Sequence, residues 1–358
     1  MARKTAAKTQ APRTRKARVA PVPAPLPPAA PPEVKKAVIG KKLMLIIGLV
    51  LVAAMGVQAY LVMKSNIKRY VECDFVNPVL HMGRDEAGAV WSEQALAVTK
   101  QGNVVCLGEV GTAFQIVQPD GKVLAYHPLS NKGPEGDMTN GVDVAVDSQG
   151  LVYVMVKPNT VKVFDAKLKF VRSLDLNTKG AVGIAINSKD QMLVADMEDA
   201  KLLFYDLQGK LIKQTDGGKI KLAAPYRLAL NAKDEIFVLD VARGWENPMD
   251  VKVYSPAGEP IRKWTVRNFN SNLKAGIAWH PKGYLLLNEN SNGSQGYGFY
   301  IYKENGDFVA NCIGTTDKMN LAHLFPSAID PRNGDIYVQN QWTQRGIDRL
   351  RWTPAEVK

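Results

Sequence analysis

Beyond residue 70 the chain alternates short apolar runs with polar turns, and the alternation itself repeats. Leu96-Ala97-Val98 leads into Thr99-Lys100-Gln101-Gly102, and Val144-Ala145-Val146 leads into Asp147-Ser148-Gln149-Gly150. Ile184-Ala185-Ile186, Leu228-Ala229-Leu230, Ile277-Ala278-Trp279 and Ser327-Ala328-Ile329 open four further units, each closed by its own polar turn. The central alanines stand 48, 40, 44, 49 and 50 residues apart, a period expected of propeller blades. No unit carries a long helical period, which argues against a doubly wound α/β fold.

Inside each unit the pattern predicts a meander of four strands. The first strand sets a small alanine where blades crowd a central axis. After the turn comes an apolar strand such as Leu151-Val152-Tyr153-Val154 or Glu235-Ile236-Phe237-Val238. A third strand ends near an aromatic, as at Val163-Phe164, Phe204-Tyr205, Val253-Tyr254 and Ile301-Tyr302. Gly121, Gly209, Gly258 and Gly306 then supply a left-handed turn into a fourth strand. The sixth unit stops after Asp348-Arg349-Leu350-Arg351-Trp352, where Pro354 ends any strand, and it lacks a fourth strand of its own. An orphan apolar stretch, Tyr70 to Val76 continuing to Val79-Leu80, precedes the first unit and is expected to complete the sixth and close the ring.

This pattern resembles the NHL repeat, most clearly over residues 184–213 and 228–263, where Ala-Leu/Ile-Asn, an apolar strand ending in Asp, an aromatic and a Gly turn fall in family order. The resemblance spans roughly residues 70–353 and implies an all-β, six-bladed β-propeller.

The region before the propeller has a different character. Leu43 to Met63 is a run of 21 residues without a charge, about 30 Å long as a helix and lacking a polar face. It predicts one transmembrane signal-anchor helix. The rival is a cleaved signal peptide with Val57-Gln58-Ala59 as its cleavage site, but the run is long for one and 42 residues precede it. Residues 1–42 hold 11 basic side chains and one acid, Glu33, so +10 of the formal +12 sits there. The positive-inside rule puts this end in the cytoplasm and the propeller on the periplasmic or extracellular side. Its Ala20-Pro21-Val22-Pro23-Ala24-Pro25 composition predicts a disordered basic Pro/Ala-rich tail, read first as a topology determinant. Residues 64–69 form a short linker and 354–358 a C-terminal tail. The span is expected to reach the propeller on the face of the first-to-second strand turns, leaving the second-to-third strand loops pointing away from the bilayer. Nucleic acid is not expected as a partner of the propeller, and remains open for the tail.

Cys73, Cys106 and Cys312 lack metal or redox spacing and are read as buried thiols, one disulfide being left open to an oxidising compartment. Four histidines are scattered, and His280, at a turn position filled by Asp or Asn elsewhere, is expected to be solvated. No catalytic motif stands out, so catalytic residues are given as none and an enzyme is the less favoured reading.

Two candidate sites remain. The second-to-third strand loops lengthen in the fourth and fifth units, placing Arg243, Trp245 and Asn247, then Asn292 and Tyr297, beside Trp342 and Arg345 of the sixth. That mixture suits a protein or glycan partner, with a larger envelope complex as one setting. Asn292-Gly293-Ser294 also fits a glycosylation acceptor in a eukaryotic lumen. The second-strand ends bring Asp196, Asp240, Glu289 and Asn340 to equivalent places, where oxygen ligands would suit Ca²⁺ or another divalent cation, as in the gluconolactonase-like propeller enzymes. The simpler reading is that these side chains cap loops and no cofactor is held. The sequence thus points to a membrane-anchored binding or scaffolding module, with a metal-dependent hydrolase or lactonase as alternative.

Overall fold

The computed structural model describes residues 70–82, 87–90, 93–108, 113–128, 135, 138, 140–241, 249–266, 275–289, 299–313, 324–340 and 345–354. The chain separates into two units, residues 1–66 and 67–358, and all described residues belong to the second. The anticipated tail and the helix 43–63 lie outside the described residues. Among the described residues no helix is long and apolar enough to cross a membrane.

The described elements are strands, arranged in six sheets. Four are antiparallel meanders in sequence order. Their inner strands are Glu93–Val98, Gly141–Val146, Ala181–Ile186 and Pro225–Leu230, and their outer strands are Val123–Pro128, Phe170–Asp175, Leu211–Thr215 and Pro260–Thr265. The fifth and sixth sheets start from Ala275–His280 and Leu324–Ile329. Each inner strand touches the next, and the sixth touches the first, so the sheets form a closed ring of six blades.

Burial across a blade follows this geometry. The second strands have neighbours on both faces and are buried along their whole length, as Val152–Val156 and Ile236–Val241 are, and the third strands are buried at all but one position, as Thr160–Phe164 is. The outer strand faces solvent on one side, and Pro260–Thr265 accordingly alternates between exposed and half-buried positions. The core is divided into six apolar clusters, each lying between two neighbouring blades. Phe237, Val251 and Val253 of the fourth blade, for example, pack on Ile277, Leu285 and Tyr302 of the fifth. The third-to-fourth strand glycines serve this packing. Gly306 has φ 93°, and a Cβ there would lie 2.7 Å from the Trp264 ring of the preceding blade. In the second blade Leu168 takes that turn position at φ 59° and is itself buried.

The N-terminal stretch bridges two blades. Tyr70–Glu72 adds a parallel strand to the outer edge of the fifth sheet, pairing Val71 with Cys312. The chain then crosses over, and Asp74–Met82 pairs antiparallel with Arg345–Arg351 as the fourth strand of the sixth sheet. Cys73, at the crossover, is disulfide-bonded to Cys312 with Cα atoms 6.3 Å apart. The reading of these two cysteines as thiols is therefore corrected: proximity comes from a strand pairing between residues 239 apart in sequence, which spacing does not reveal. Cys106 remains a buried thiol.

Val79 and Leu80 of the closing strand enter the cluster that joins the sixth blade to the first, with Leu96, Cys106, Tyr337 and Ile347. Leu80→Ala is therefore expected to destabilise the ring by about 2–5 kcal/mol in urea denaturation. Leu124→Ala, on an outer strand and 44% exposed, is expected to change it by less than about 0.5 kcal/mol. Equal effects from the two would show that the closing strand contributes no core.

Candidate functional site

The axial channel has two chemically different ends. At the end of the second-to-third strand loops, the second strand of each described blade finishes opposite the start of the inner strand, as Asp196 does opposite Ala181 and Asp240 opposite Pro225. The Asp196 carboxylate accepts the Thr178 hydroxyl at 2.5 Å and the Glu198 and Asp199 amides, both at 3.0 Å. Asp240 accepts the Ala223 amide at 2.9 Å and the Ala224 amide at 2.6 Å, and the ammonium of Lys252 pairs with it. Both are almost fully buried. These carboxylates anchor the connection entering their own blade. Glu289 and Asn340 also end their second strands, without described side chains, and no group of three or more His, Cys, Asp or Glu among the described residues could hold a metal ion.

Arg227 closes the same end from within. Its inner strand directs the guanidinium across the axis, where it donates to the carbonyls of Val182 at 2.5 Å and Val142 at 3.0 Å, on the inner strands of two other blades. The Tyr226 ring lies against it, and Asp143 stands 3.9 Å away. Burial pushes the Asp143 carboxyl above its ordinary range, while Arg227 pulls in the opposite direction, as do the Ile184 and Val144 amides. Burial also lowers the Lys157 ammonium, and Arg227 adds to that effect. Sequence reasoning overlooked this group, though its signal was available: Asp143 and Arg227 interrupt otherwise apolar inner strands.

The opposite end carries the first-to-second strand turns. Here Asp147, Asn187 and Asn231 each accept two backbone amides of their own turn. His280 caps its turn with a ring nitrogen, Nδ1 accepting the one amide of Lys282 at 3.2 Å. The expectation that His280 is solvated is thus corrected. It is 1% exposed and packs edgewise on Tyr284 and Trp352, because a capping residue must sit beneath its turn. Burial, then the charge of Lys282, hold its pKa down to about 4, with the Gly334 backbone acting against them.

The turns also join blade to blade, through serine–aspartate pairs from the second blade to the fourth and through Arg332, which donates to the Gln101 carbonyl, from the sixth to the first. Ser148 Oγ donates to Asp190 and Ser188 Oγ donates to Asp234, both at 2.6 Å. In the fourth, fifth and sixth blades the serine's place is taken by Ala232, Pro281 and Pro331. These three border a cavity of about 400 Å³ on the axis, whose wall includes Val98, Leu228, Leu230, Ile277, Trp279 and Ile329. The cavity falls in the size range of small-molecule sites, about 300–1,000 Å³.

Of the anticipated rim, Arg243, Trp245, Asn247, Asn292, Tyr297 and Trp342 lie outside the described residues. Arg345 starts the third strand of the sixth blade, opposite Asn340. Of the proposed ligand set, Asp196 and Asp240 sit at matching places on adjacent blades, each tied to its own backbone.

No protein-family model matches the chain, and no curated protein matches it. Among solved structures, streptogramin B lyase is similar with a TM-score of 0.52 over 77% of this chain and 87% of its own, at 12% identity. A catalytically inactive virginiamycin B lyase from Staphylococcus aureus gives 0.50 over 80% and 89%, at 14% identity. The WD40 β-propeller domain of Doa1 gives 0.50 over 73% and 78%, at 16% identity. What these chains share is the propeller. The likeness concerns fold alone, and a lyase and a WD40 domain stand equally near it.

Two outcomes test the axial chemistry. Arg227→Met removes the guanidinium from two carbonyls and leaves Asp143 buried, at an expected cost of about 3 kcal/mol at pH 7. Without Arg227 the Asp143 carboxyl rises further, so its protonated form is favoured in the folded state and the loss should shrink toward pH 4; denaturation at both pH values reads this. For His280, a folded pKa near 4 against an ordinary 6.5 means stability is fully present above 6.5 and declines as pH falls toward 4. His280→Asn keeps a turn cap without a titrating ring. Its melting temperature should fall less than that of the parent across this window, and parallel curves would exclude the histidine as the cause.

Proposed function

We propose that the protein is an NHL-type propeller anchored by a single membrane span, working on the periplasmic or extracellular side as a protein- or glycan-binding scaffold. The observation that supports this most is the Cys73–Cys312 disulfide. Disulfides persist in oxidising compartments, and this one fastens the chain segment that emerges from residues 43–69 to the rim of the fifth blade. The side that the basic tail argues for is therefore also the side where the cross-link survives. A ring stapled in this manner is a stiff platform for loops, and loops carried on a rigid scaffold are common binding elements.

The partner surface in this reading is the rim of Arg243, Trp245, Asn247, Asn292, Tyr297, Trp342 and Arg345. The hydrolase alternative requires Asp196, Asp240, Glu289 and Asn340 to turn toward a divalent cation. The commitment of the first two to backbone amides and Lys252 favours the scaffold instead.

Thiol counting on the full-length protein in native membranes tests the compartment. With denaturation and polyethylene-glycol maleimide, one adduct is expected before reduction and three after it, since the chain has three cysteines. Three adducts without reductant would sink the non-cytoplasmic assignment. Cross-linking followed by mild-detergent purification should recover a partner that the double variant Trp245→Ala/Tyr297→Ala loses while remaining folded.

A further inference from the structure

The cavity at the turn end of the axis has a mainly apolar wall that includes Asn231, and cations stand around its mouth. Its bordering residues Ala232, Pro281 and Pro331 are each followed by a cation, Lys233, Lys282 and Arg332, and Lys100 stands two residues beyond the lining Val98. All four cations are exposed. Lys233 has Glu304 3.5 Å away, and Arg332 is held by Asp330 at 2.7 Å. Lys100 and Lys282 make no ion pair with another described residue. The serine–aspartate links Ser148–Asp190 and Ser188–Asp234 run from the second blade to the fourth, and on the cavity side Arg332 instead donates to the Gln101 carbonyl of the first blade. Replacement of serine by alanine and proline on this side removes hydroxyls from the border of the cavity and leaves methyl and ring carbons there. A cavity of about 400 Å³ lined by Leu228, Leu230, Ile277 and Trp279 gains from burying hydrocarbon, and lysines at its mouth favour a negative head. Toward the other end of the axis the Arg227 guanidinium donates to the Val182 and Val142 carbonyls of two other blades.

We infer that this cavity is a binding site for an anionic amphiphile, an aliphatic chain inserted along the axis with its carboxylate or phosphate among Lys100, Lys233 and Lys282. Both a free fatty acid and an anionic membrane lipid present this chemistry. The inference does not depend on the partner reading above.

The test uses the full-length chain in discs of zwitterionic lipid, with empty discs as the reference for partitioning and labelled decanoate as the probe. Saturable uptake of about one decanoate per chain is expected, with affinity rising about fourfold per methylene from hexanoate to decanoate. Decanol and decyltrimethylammonium should bind about fivefold more weakly, since the cations no longer help. Ala232→Trp, at an exposed turn position, should narrow the mouth and weaken binding at least about tenfold with an unchanged melting temperature. Should that variant misfold, Lys100→Glu/Lys282→Glu provides a second reading, by reversing the preference between decanoate and decyltrimethylammonium. Displacement of decanoate on adding phosphatidylglycerol to the discs identifies a membrane lipid as the occupant, and no displacement identifies a free acid. Uptake equal to that of empty discs, or affinity indifferent to chain length, overturns the site.

Discussion

A twisted four-stranded sheet with apolar residues on both faces cannot hide them by itself, and every other feature of this molecule follows from that constraint. Each blade needs a neighbour on either side, so the apolar surface is divided into six clusters that straddle blade boundaries. The arrangement is satisfied only when the last blade meets the first. The sixth sheet has three strands of its own, and the fourth comes from the other end of the domain. Ring closure is thus a non-local event, in which Asp74–Met82 finds Arg345–Arg351 across the whole fold. The parallel strand Tyr70–Glu72 and the disulfide beside it extend the same segment onto the fifth blade, so one strap secures two neighbours.

The ring leaves an axis that six inner strands must line without filling completely. The two ends meet that demand differently. At the loop end, Arg227 reaches two other blades and satisfies their carbonyls, where an apolar side chain of equal length would leave them without that donor. At the turn end, small and apolar residues leave space. Asp190 and Asp234 stand at φ 56° and 59°, a conformation costly for a side chain, and their bonds to the preceding blade's serines offset that cost. Where glycine holds the equivalent position, as Gly150 and Gly283 do, no such bond is required.

Much of the architecture was legible because a propeller writes its period into the chain. Six alanines in inner strands, aromatic ends to third strands and glycine turns report local geometry, and local geometry has a local signature. Features made by pairing distant segments were harder to read. Nothing in Tyr70-Val71-Glu72 distinguishes a strand on the fifth blade from the start of one on the sixth, and no spacing rule links Cys73 with Cys312. His280 misled because a turn position suggested solvent, whereas the residue that caps such a turn lies buried beneath it. Asp196 and Asp240 were legible as repeat elements, and the hydrogen bonds they make are those of loop anchors. The axial cavity was overlooked because alanine and proline in a turn look unremarkable until set beside the serines of the other blades.

The strap also alters what it means to cut this chain. Cys73 and Cys312 enclose five of the six blades in one covalent loop, so a protease nick in any connection between them opens the backbone without parting the pieces. Fragments would separate on a gel only once the sulfurs are reduced. Damage to a loop between the two cysteines therefore leaves the disc whole.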